Sequence, residues 1–354
     1  YDLKDDVLAL RKSVELDLNG KLTPITELVG EPVADLLLVN DRDLTYAKIR
    51  FDDRSIETLK NHLRKIHDPL ARVLCWSAAW DMLRYADLSA SDYITLAIEG
   101  LKTETDITIV TRVMGNLSAA AYRYSHPTNK VTNLARVSDG LEYLMDNAVA
   151  GSDLQLQYAR SFAAMAYSDN QRARVRQLMS GSLSGLAIDA DLRWHFVNTL
   201  VERGLLGKPE LDEELAKDNT FSGQLSYDQA IAALPTAVSK SQTWEDITTK
   251  EMGTSTRSAV IAGFVRPLQL DLLEPYIDKY FDALMDIWGM KSYEVARRFV
   301  MLLYPNNFIS QATLDKTLNW LEVTGKDAHP TLRRLVVDGL DDLKMSIKAQ
   351  AKDA

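Results

Sequence analysis

The chain has 354 residues, of which 46% are hydrophobic and 26% charged, and its net charge is −9. This composition is typical of a globular protein with a large core, and the negative charge disfavours nucleic acid and anionic membranes as partners. A single cysteine, Cys75, excludes an internal disulfide and agrees with a cytoplasmic location. No apolar run reaches the roughly 18–20 residues that a membrane span needs.

The first 51 residues carry strand signals. An Asn-Gly pair at 19–20 favours a hairpin turn, because both residues tolerate positive φ. Four segments have the alternation or the β-branched and aromatic content of strands, namely residues 7–10, 14–18, 36–39 and 44–51. We therefore predict part of a small antiparallel sheet, which is too small to form an independent core. The start has neither a signal-peptide pattern nor an initiator methionine, as expected of a cut through a longer chain.

The segment Pro69 to Tyr85 predicts the central helix of the protein. Asp68 suits a helix cap and Pro69 suits the first helical position. Because apolar residues surround most of this helix, it should be buried between neighbours. If the ring of Trp80 is fully enclosed, Trp80→Ala should cost about 3–5 kcal/mol of stability.

From Ser55 onward the apolar periodicity predicts helices joined by short loops, so successive helices should be antiparallel neighbours. The predicted fold class is mainly α, an irregular HEAT- or armadillo-like helical superhelix (52–354) preceded by a short antiparallel β-sandwich portion (1–51). The polar tail after Met345 is predicted to fray. The predicted helices are 55–66, 69–86, 91–101, 106–124, 128–147, 153–167, 170–180, 190–203, 209–217, 223–234, 241–249, 255–264, 268–288, 292–303, 311–323 and 330–350.

No sequence motif in the chain indicates catalysis. None of the five histidines is followed by glutamate, so the helical H-E-x-x-H zinc motif is absent. A nucleophile elbow and a phosphate-binding glycine loop are also absent. We predict no catalytic residue and no metal ligand in this chain.

Two arginines are candidates for binding the carboxylate of a substrate. Arg257 is predicted to lie in the first turn of a helix, where the backbone also favours anions. Arg193, beside Trp194 and His195, is the second candidate. The alternative for both residues is a structural role within the fold.

Several blocks of sequence closely resemble the C-terminal part of the aminopeptidase N family of actinobacteria, which are zinc-dependent gluzincin aminopeptidases. The resemblance runs over nearly the whole chain. The blocks are Glu27–Gly30, Asp35–Asp41, Asp43–Arg50, Asp68–Met82, Ala262–Phe264, Leu273–Tyr276, Lys279–Phe281, Ile287–Trp288 and Glu294–Arg298.

The resemblance implies the end of a β-sandwich followed by a helical domain that covers the active site of a peptide-trimming enzyme. It implies zinc in the parent enzyme and no cofactor in this piece, with the catalytic domain of the same polypeptide and a peptide substrate as partners. The family's zinc motif and its G-A-M-E-N segment are absent here, so this chain alone should not hydrolyse peptides. The alternative is a free-standing helical-repeat scaffold for protein interactions.

Overall fold

The computed structural model describes residues 1–354 and consists mainly of α-helices. One antiparallel pair of short strands, β1 (Asp2–Lys4) and β2 (Val7–Ala9), precedes them. The helices are α1 (Asp53–His62), α2 (Pro69–Arg84), α3 (Ala90–Leu101), α4 (Ile107–Ala119), α5 (Pro127–Asn147), α6 (Asp153–Met165), α7 (Asp169–Met179), α8 (Ala190–Glu202), α9 (Lys208–Lys217), α10 (Phe221–Ala233), α11 (Ala237–Thr249), α12 (Thr254–Phe264), α13 (Leu270–Leu273), α14 (Tyr276–Met290), α15 (Tyr293–Leu303), α16 (Gln311–Glu322) and α17 (Pro330–Lys352).

The mainly α fold class is confirmed, and the predicted helices match the observed ones with one division. The segment predicted as one helix over 268–288 is split into α13 and α14 at Glu274 and Pro275. Pro275 lacks an amide hydrogen and cannot donate the bond that would continue α13, although Glu274 keeps helical backbone angles. A π-helical turn, Ala120–Tyr124, follows α4 and continues the predicted helix to residue 124.

Most helices contact their neighbours in chain order, and one helix from each successive pair joins a row that closes on itself. This second-helix row consists of α2, α4, α6, α8, α10, α12, α15 and α17, and each member contacts the next. The last member, α17, also contacts α2, α3 and the π-turn. The two ends of the helical region therefore meet.

Three apolar clusters fill the space between the helices. The first core contains buried residues from Leu8 to Leu200 together with Ala349. The second core runs from Ile247 to Leu340, and a small cluster around Trp194 and Val197 lies between them at α8, α9 and α10. None of the helices combines the length and hydrophobicity needed to cross a bilayer.

The strand predictions for the N-terminal segment are largely wrong. The prediction for 7–10 is confirmed as β2, whereas residues 14–18, 36–39 and 44–51 form no strand. A strand needs a hydrogen-bonded partner, and this stretch finds only isolated ones, such as the pair of bonds between Tyr1 and Leu36 at 2.9 and 3.0 Å. Its buried apolar side chains, Leu36, Leu38, Ile49 and Phe51, join the first core of the helical region. The domain boundary after residue 51 stays a prediction.

The prediction of a helix over Pro69 to Tyr85 is confirmed as α2, which is buried on one side while Leu70 stays 43% exposed, and the tryptophan that it buries is not the predicted one. Trp76 is 5% exposed. Trp80 is only partly buried and packs against the rings of Tyr93 and Tyr124, with centroid distances of 5.5 and 5.7 Å. Trp76 and Trp80 are about one helical turn apart on α2, and the neighbouring residues cover Trp76 more completely than Trp80.

The prediction that the C-terminal tail frays is wrong. Helix α17 continues to Lys352, and Asp353 is 3% exposed. The tail is polar, and the groups that it contacts are polar as well. Ser91, His126 and Asn129 all hydrogen-bond to Asp353, so the burial of this residue depends on tertiary contacts that the tail's own sequence does not reveal.

Candidate functional site: a basic cluster at helix C-termini

Arg257 lies in the first turns of α12, as predicted, but its side chain points into the protein. It is 1% exposed and donates hydrogen bonds to the carbonyl oxygens of Ile247 at 2.6 Å and Lys250 at 3.1 Å. These carbonyls end α11, so Arg257 caps the C-terminus of that helix. Burial lowers the pKa of its guanidinium. A role in substrate binding stays a prediction, while the contacts that the structure shows are internal.

Arg193 on α8 is also engaged by the protein itself. Its Nε and Nη2 atoms donate to the two carboxylate oxygens of Glu214 on α9, at 2.5 and 2.6 Å. This two-point pairing is the strongest geometry for an arginine and a carboxylate. The Arg193 guanidinium holds the pKa of Glu214 below its usual range. The contact joins α8 to α9, and its use for substrate binding stays a prediction as well.

Arg193→Ala is expected to lower the free energy of unfolding at pH 7 by about 1–2 kcal/mol, because Glu214 loses both donors of Arg193 and keeps only Lys217, while a third of the Arg193 side chain is exposed. The folded pKa of Glu214 is depressed, so this stabilisation is present above the unfolded pKa of about 4.3 and is lost as pH falls through the folded value. Denaturant titrations at pH 7 and pH 3 measure both effects. The control is Lys217→Ala, which removes a more exposed partner of the same carboxylate. An equal loss in the two variants would contradict the prediction.

The structure brings together a different set of polar residues, which we call the basic cluster: Tyr122, Glu202, Arg203, Lys240, Arg266 and Gln269. They come from four places that are distant in the sequence. Three of these places are at the C-terminal ends of members of the second-helix row, whereas Lys240 lies in the first turns of α11. Tyr122 lies in the π-turn after α4, Glu202 and Arg203 end α8, and Arg266 follows α12. Because helix C-termini carry partial negative charge, cations collect there.

Two members of the basic cluster fulfil structural roles. The ammonium group of Lys240 is fully buried and donates to the carbonyl oxygens of Ala232 at 2.9 Å and Phe264 at 3.0 Å, which end α10 and α12. The amide nitrogen of Gln269 donates to the carbonyls of Glu202 and Ala233, both at 2.8 Å. Lys240 and Gln269 thus tie together the ends of three neighbouring helices.

The two arginines of the cluster keep donors that the protein does not use. Nε and Nη2 of both Arg203 and Arg266 are buried and have no hydrogen-bond partner, and the side-chain oxygen of Gln269 has none either. The nearest carboxylate, Glu202, lies 3.7 Å from Nη1 of Arg266. Buried donors without partners are rare in folded proteins. The cluster therefore has an excess of positive charge and free donor capacity for an anion.

The pKa shifts in the cluster reflect the burial of its ionisable groups. Burial lowers the pKa of Arg266 and lowers that of Lys240 to about 7. Burial also raises the pKa of Tyr122 to about 12, so its hydroxyl beside Arg203 stays protonated. Guanidinium groups bind carboxylates at two points, and a tyrosine hydroxyl can add a third hydrogen bond. The arrangement suits a carboxylate better than a cation or an apolar ligand.

Sequence analysis did not find the basic cluster. Arg203 and Arg266 each follow a helix in the sequence, where a basic residue is common and has no specific meaning. The π-helical turn at 120–124 is of the kind that occurs often at functional sites. Its sequence, Ala-Ala-Tyr-Arg-Tyr, gives no sign that the turn is π-helical, so only the structure shows it.

The residues of this chain do not form the ligand set of a catalytic zinc. Such a site takes three protein ligands, usually histidine and carboxylate side chains. The structure brings no three histidine, cysteine, aspartate or glutamate side chains close enough to hold one metal ion. No chemical step of a metal can therefore be assigned to residues of this chain.

Comparison with known proteins agrees with the helical architecture. Residues 36–345 match the model of the ERAP1-like C-terminal domain. The chain is also similar to "Aminopeptidase N" of Streptomyces lividans, with 38% identity over 344 residues. This alignment covers 96% of the chain but only 40% of that relative, so the chain spans about two fifths of the length of the aminopeptidase that it matches. The match to the domain covers most of the helices described above, including the basic cluster, and the chain belongs to the ERAP1-like C-terminal domain family.

Proposed function

We propose that this chain is the helical domain of a zinc-dependent aminopeptidase, which removes N-terminal residues from peptides. In this proposal the domain covers the chamber of the catalytic domain and binds the carboxyl end of the peptide at the basic cluster. The observation that carries the proposal is the pair Arg203 and Arg266, whose buried donors have no partner in the protein. The similarity to an aminopeptidase N supplies the reaction class.

The chemistry of an N-terminal peptidase explains why a distant anion site is useful. The catalytic domain must hold the amino end of the substrate, so the free carboxylate is the distinctive group at the other end. Binding energy from a remote part of a substrate can orient the scissile bond. A site with two guanidinium groups and a phenol would favour intact peptides over single-residue substrates.

The catalytic domain of the same polypeptide is the proposed partner of the N-terminal segment. This segment exposes large apolar side chains, including Leu18, Leu22 and Leu44 at 69%, 84% and 70%. Exposed apolar side chains that gather in one segment are typical of an interface. The proposed setting is the cytoplasm, where a buried thiol such as that of Cys75 stays reduced.

Peptide binding to this chain tests the carboxylate site directly. A fluorescent peptide of about ten residues with a free C-terminus is titrated against the protein by anisotropy, beside the same peptide with a C-terminal amide. We expect the free acid to bind roughly 10- to 100-fold more tightly, as a charged hydrogen bond is worth about 1.5–3 kcal/mol. Arg203→Ala and Arg266→Ala should each remove most of this difference.

The matched control is Arg112→Ala, which removes an exposed arginine of α4 that forms no ion pair. It should leave the preference for the free acid unchanged. Equal affinity for acid and amide in the wild type would exclude the cluster as a carboxylate site. Tight binding of both forms would instead favour the scaffold alternative, since a scaffold recognises internal segments rather than a chain end.

A further inference from the structure

The second-helix row is closed by a polar seam between the end of α17 and the starts of α3 and α5. Apolar packing contributes little there, because Ala349 is the only buried residue of α17 that belongs to the first core. Leu332, Val336 and Leu340 lie in the second core, nearer the start of the helix, while Leu343 is fully buried and belongs to neither core. Beyond Leu343, towards the end of α17, the closure depends mainly on hydrogen bonds.

Asp353 is the centre of these hydrogen bonds. Its Oδ1 accepts from the backbone amide of Ser91 at 2.7 Å, and its Oδ2 accepts from that of His126 at 3.0 Å. Ser91 lies in the first turn of α3, and His126 is the N-cap residue of α5. One carboxylate thus satisfies an amide at the N-terminus of each of two helices, where the helix dipoles also favour negative charge.

Further polar contacts follow along α17. The amide side chain of Gln350 donates to the carbonyl of Arg123 at 3.0 Å, and Nε of Arg123 donates to the hydroxyl of Ser346 at 2.7 Å. Arg84 and Asp342 approach to 3.7 Å. All of these partners are more than 200 residues apart in the sequence, so each contact exists only while the two ends of the helical region meet.

We propose that Asp353 holds the second-helix row closed, a role that we call the clasp. In this proposal the row opens at the seam as a separate step, without unfolding of the cores. The physical reason is that the α15–α17 junction and the seam bury different kinds of surface. The α15–α17 junction lies within the second core, so opening it would expose apolar surface. Opening the seam exposes Leu343 and Ala349, and otherwise polar groups that water can satisfy.

The seam is also linked to the basic cluster. Arg123, which α17 holds, is the neighbour of Tyr122 in the π-turn. Release of the clasp would therefore free the turn that carries one wall of the proposed carboxylate site. Only this consequence rests on the proposed function, and the clasp itself can be tested without a peptide.

Native-state amide hydrogen exchange of the whole chain, followed by mass spectrometry, tests the clasp. Asp353→Ala removes both acceptors, and Asp353→Asn keeps one acceptor without the charge. We expect exchange in residues 89–94, 125–130 and 344–352 to accelerate at least tenfold in Asp353→Ala and less in Asp353→Asn, with α8, α10 and α12 unchanged. Asp341→Asn, an exposed change on the same helix, should match the wild type.

Two results would overturn the proposal. If the exchange rates at the seam are the same in Asp353→Asn, Asp341→Asn and the wild type, Asp353 does not hold the seam closed. Acceleration of all helices together would show that the seam and the cores open as one unit. If Asp353→Ala does not fold, the comparison of Asp353→Asn with Asp341→Asn decides between the same outcomes.

Discussion

Trp76→Ala is expected to lower the free energy of unfolding by about 3–5 kcal/mol, the range for truncating a buried tryptophan. The indole is 5% exposed and belongs to the first core. Its Nε1 has no hydrogen-bond partner, so the loss comes from packing and the cavity rather than from a broken polar contact. Urea or guanidinium titration followed by circular dichroism measures the change.

The surroundings of Trp76 explain why the cavity should not collapse. The ring lies against the backbone of Gly100 on α3, where an added Cβ would be 2.5 Å from Cη2 of the indole. A glycine at this position lets the helix approach the ring, and rigid helix backbones cannot move far to fill the space left by alanine. The control is Trp80→Ala on the same helix, which is half-buried and should cost less. A loss below about 1 kcal/mol for Trp76→Ala would contradict the prediction.

Lys240→Met is expected to have the second large effect, because it removes a donor from three buried carbonyl groups. These are the oxygens of Ala232, Gly263 and Phe264, at 2.9, 3.4 and 3.0 Å from Nζ. The Phe264 oxygen still accepts from the backbone amide of Arg266 at 3.1 Å, whereas the other two lose their donor, and each buried carbonyl left without a donor costs about 1–3 kcal/mol. Methionine has a similar length, so the change keeps most of the volume and isolates the polar contribution.

The effect of Lys240→Met should depend on pH. Burial lowers the pKa of Lys240 to about 7 in the folded chain, whereas an unfolded lysine has a pKa of about 10.4. Between these two values the unfolded chain binds more protons than the folded one, so the free energy of unfolding of the wild type rises with pH. The variant lacks this contribution. The difference between the wild type and Lys240→Met should therefore grow from pH 7 to pH 9.

Denaturant titrations at pH 7, 8 and 9 measure this difference. The control is Lys250→Met, which replaces an exposed lysine at the C-terminal end of the same helix, α11. This variant should show neither the loss of stability nor its dependence on pH. A constant difference between the wild type and Lys240→Met over this range would mean that Lys240 does not titrate differently in the folded and unfolded chains.

The helical part of the fold could be predicted from sequence because its causes are local. Apolar spacing, short loops and capping pairs such as Asp68-Pro69 act within a few residues, and the structure confirms α2 with Asp68 as its N-cap. The division at Pro275 also has a local cause. The apolar spacing over 268–288 nevertheless continues across the proline and predicts one helix.

The N-terminal segment and the C-terminal tail show where local reasoning ends. Alternation in residues 14–18 and 44–51 resembles that of strands, but a strand forms only with a partner, and none is present in the described chain. The tail appeared too polar to be buried, yet Asp353 is held by two helix N-termini. In both cases the deciding group lies elsewhere in the chain.

By itself, the sequence determined that this chain is mainly helical, where its helices begin and end within a few residues, and that Pro69 to Tyr85 forms a helix, because these properties follow from local periodicity and composition. Only the tertiary structure decided which arginines keep free donors. Arg193 pairs with Glu214 and Arg257 leaves only its Nε without a partner, whereas Arg203 and Arg266 each leave both Nε and Nη2 without one. The number of acceptors around a guanidinium depends on contacts between distant helices, which no local pattern records.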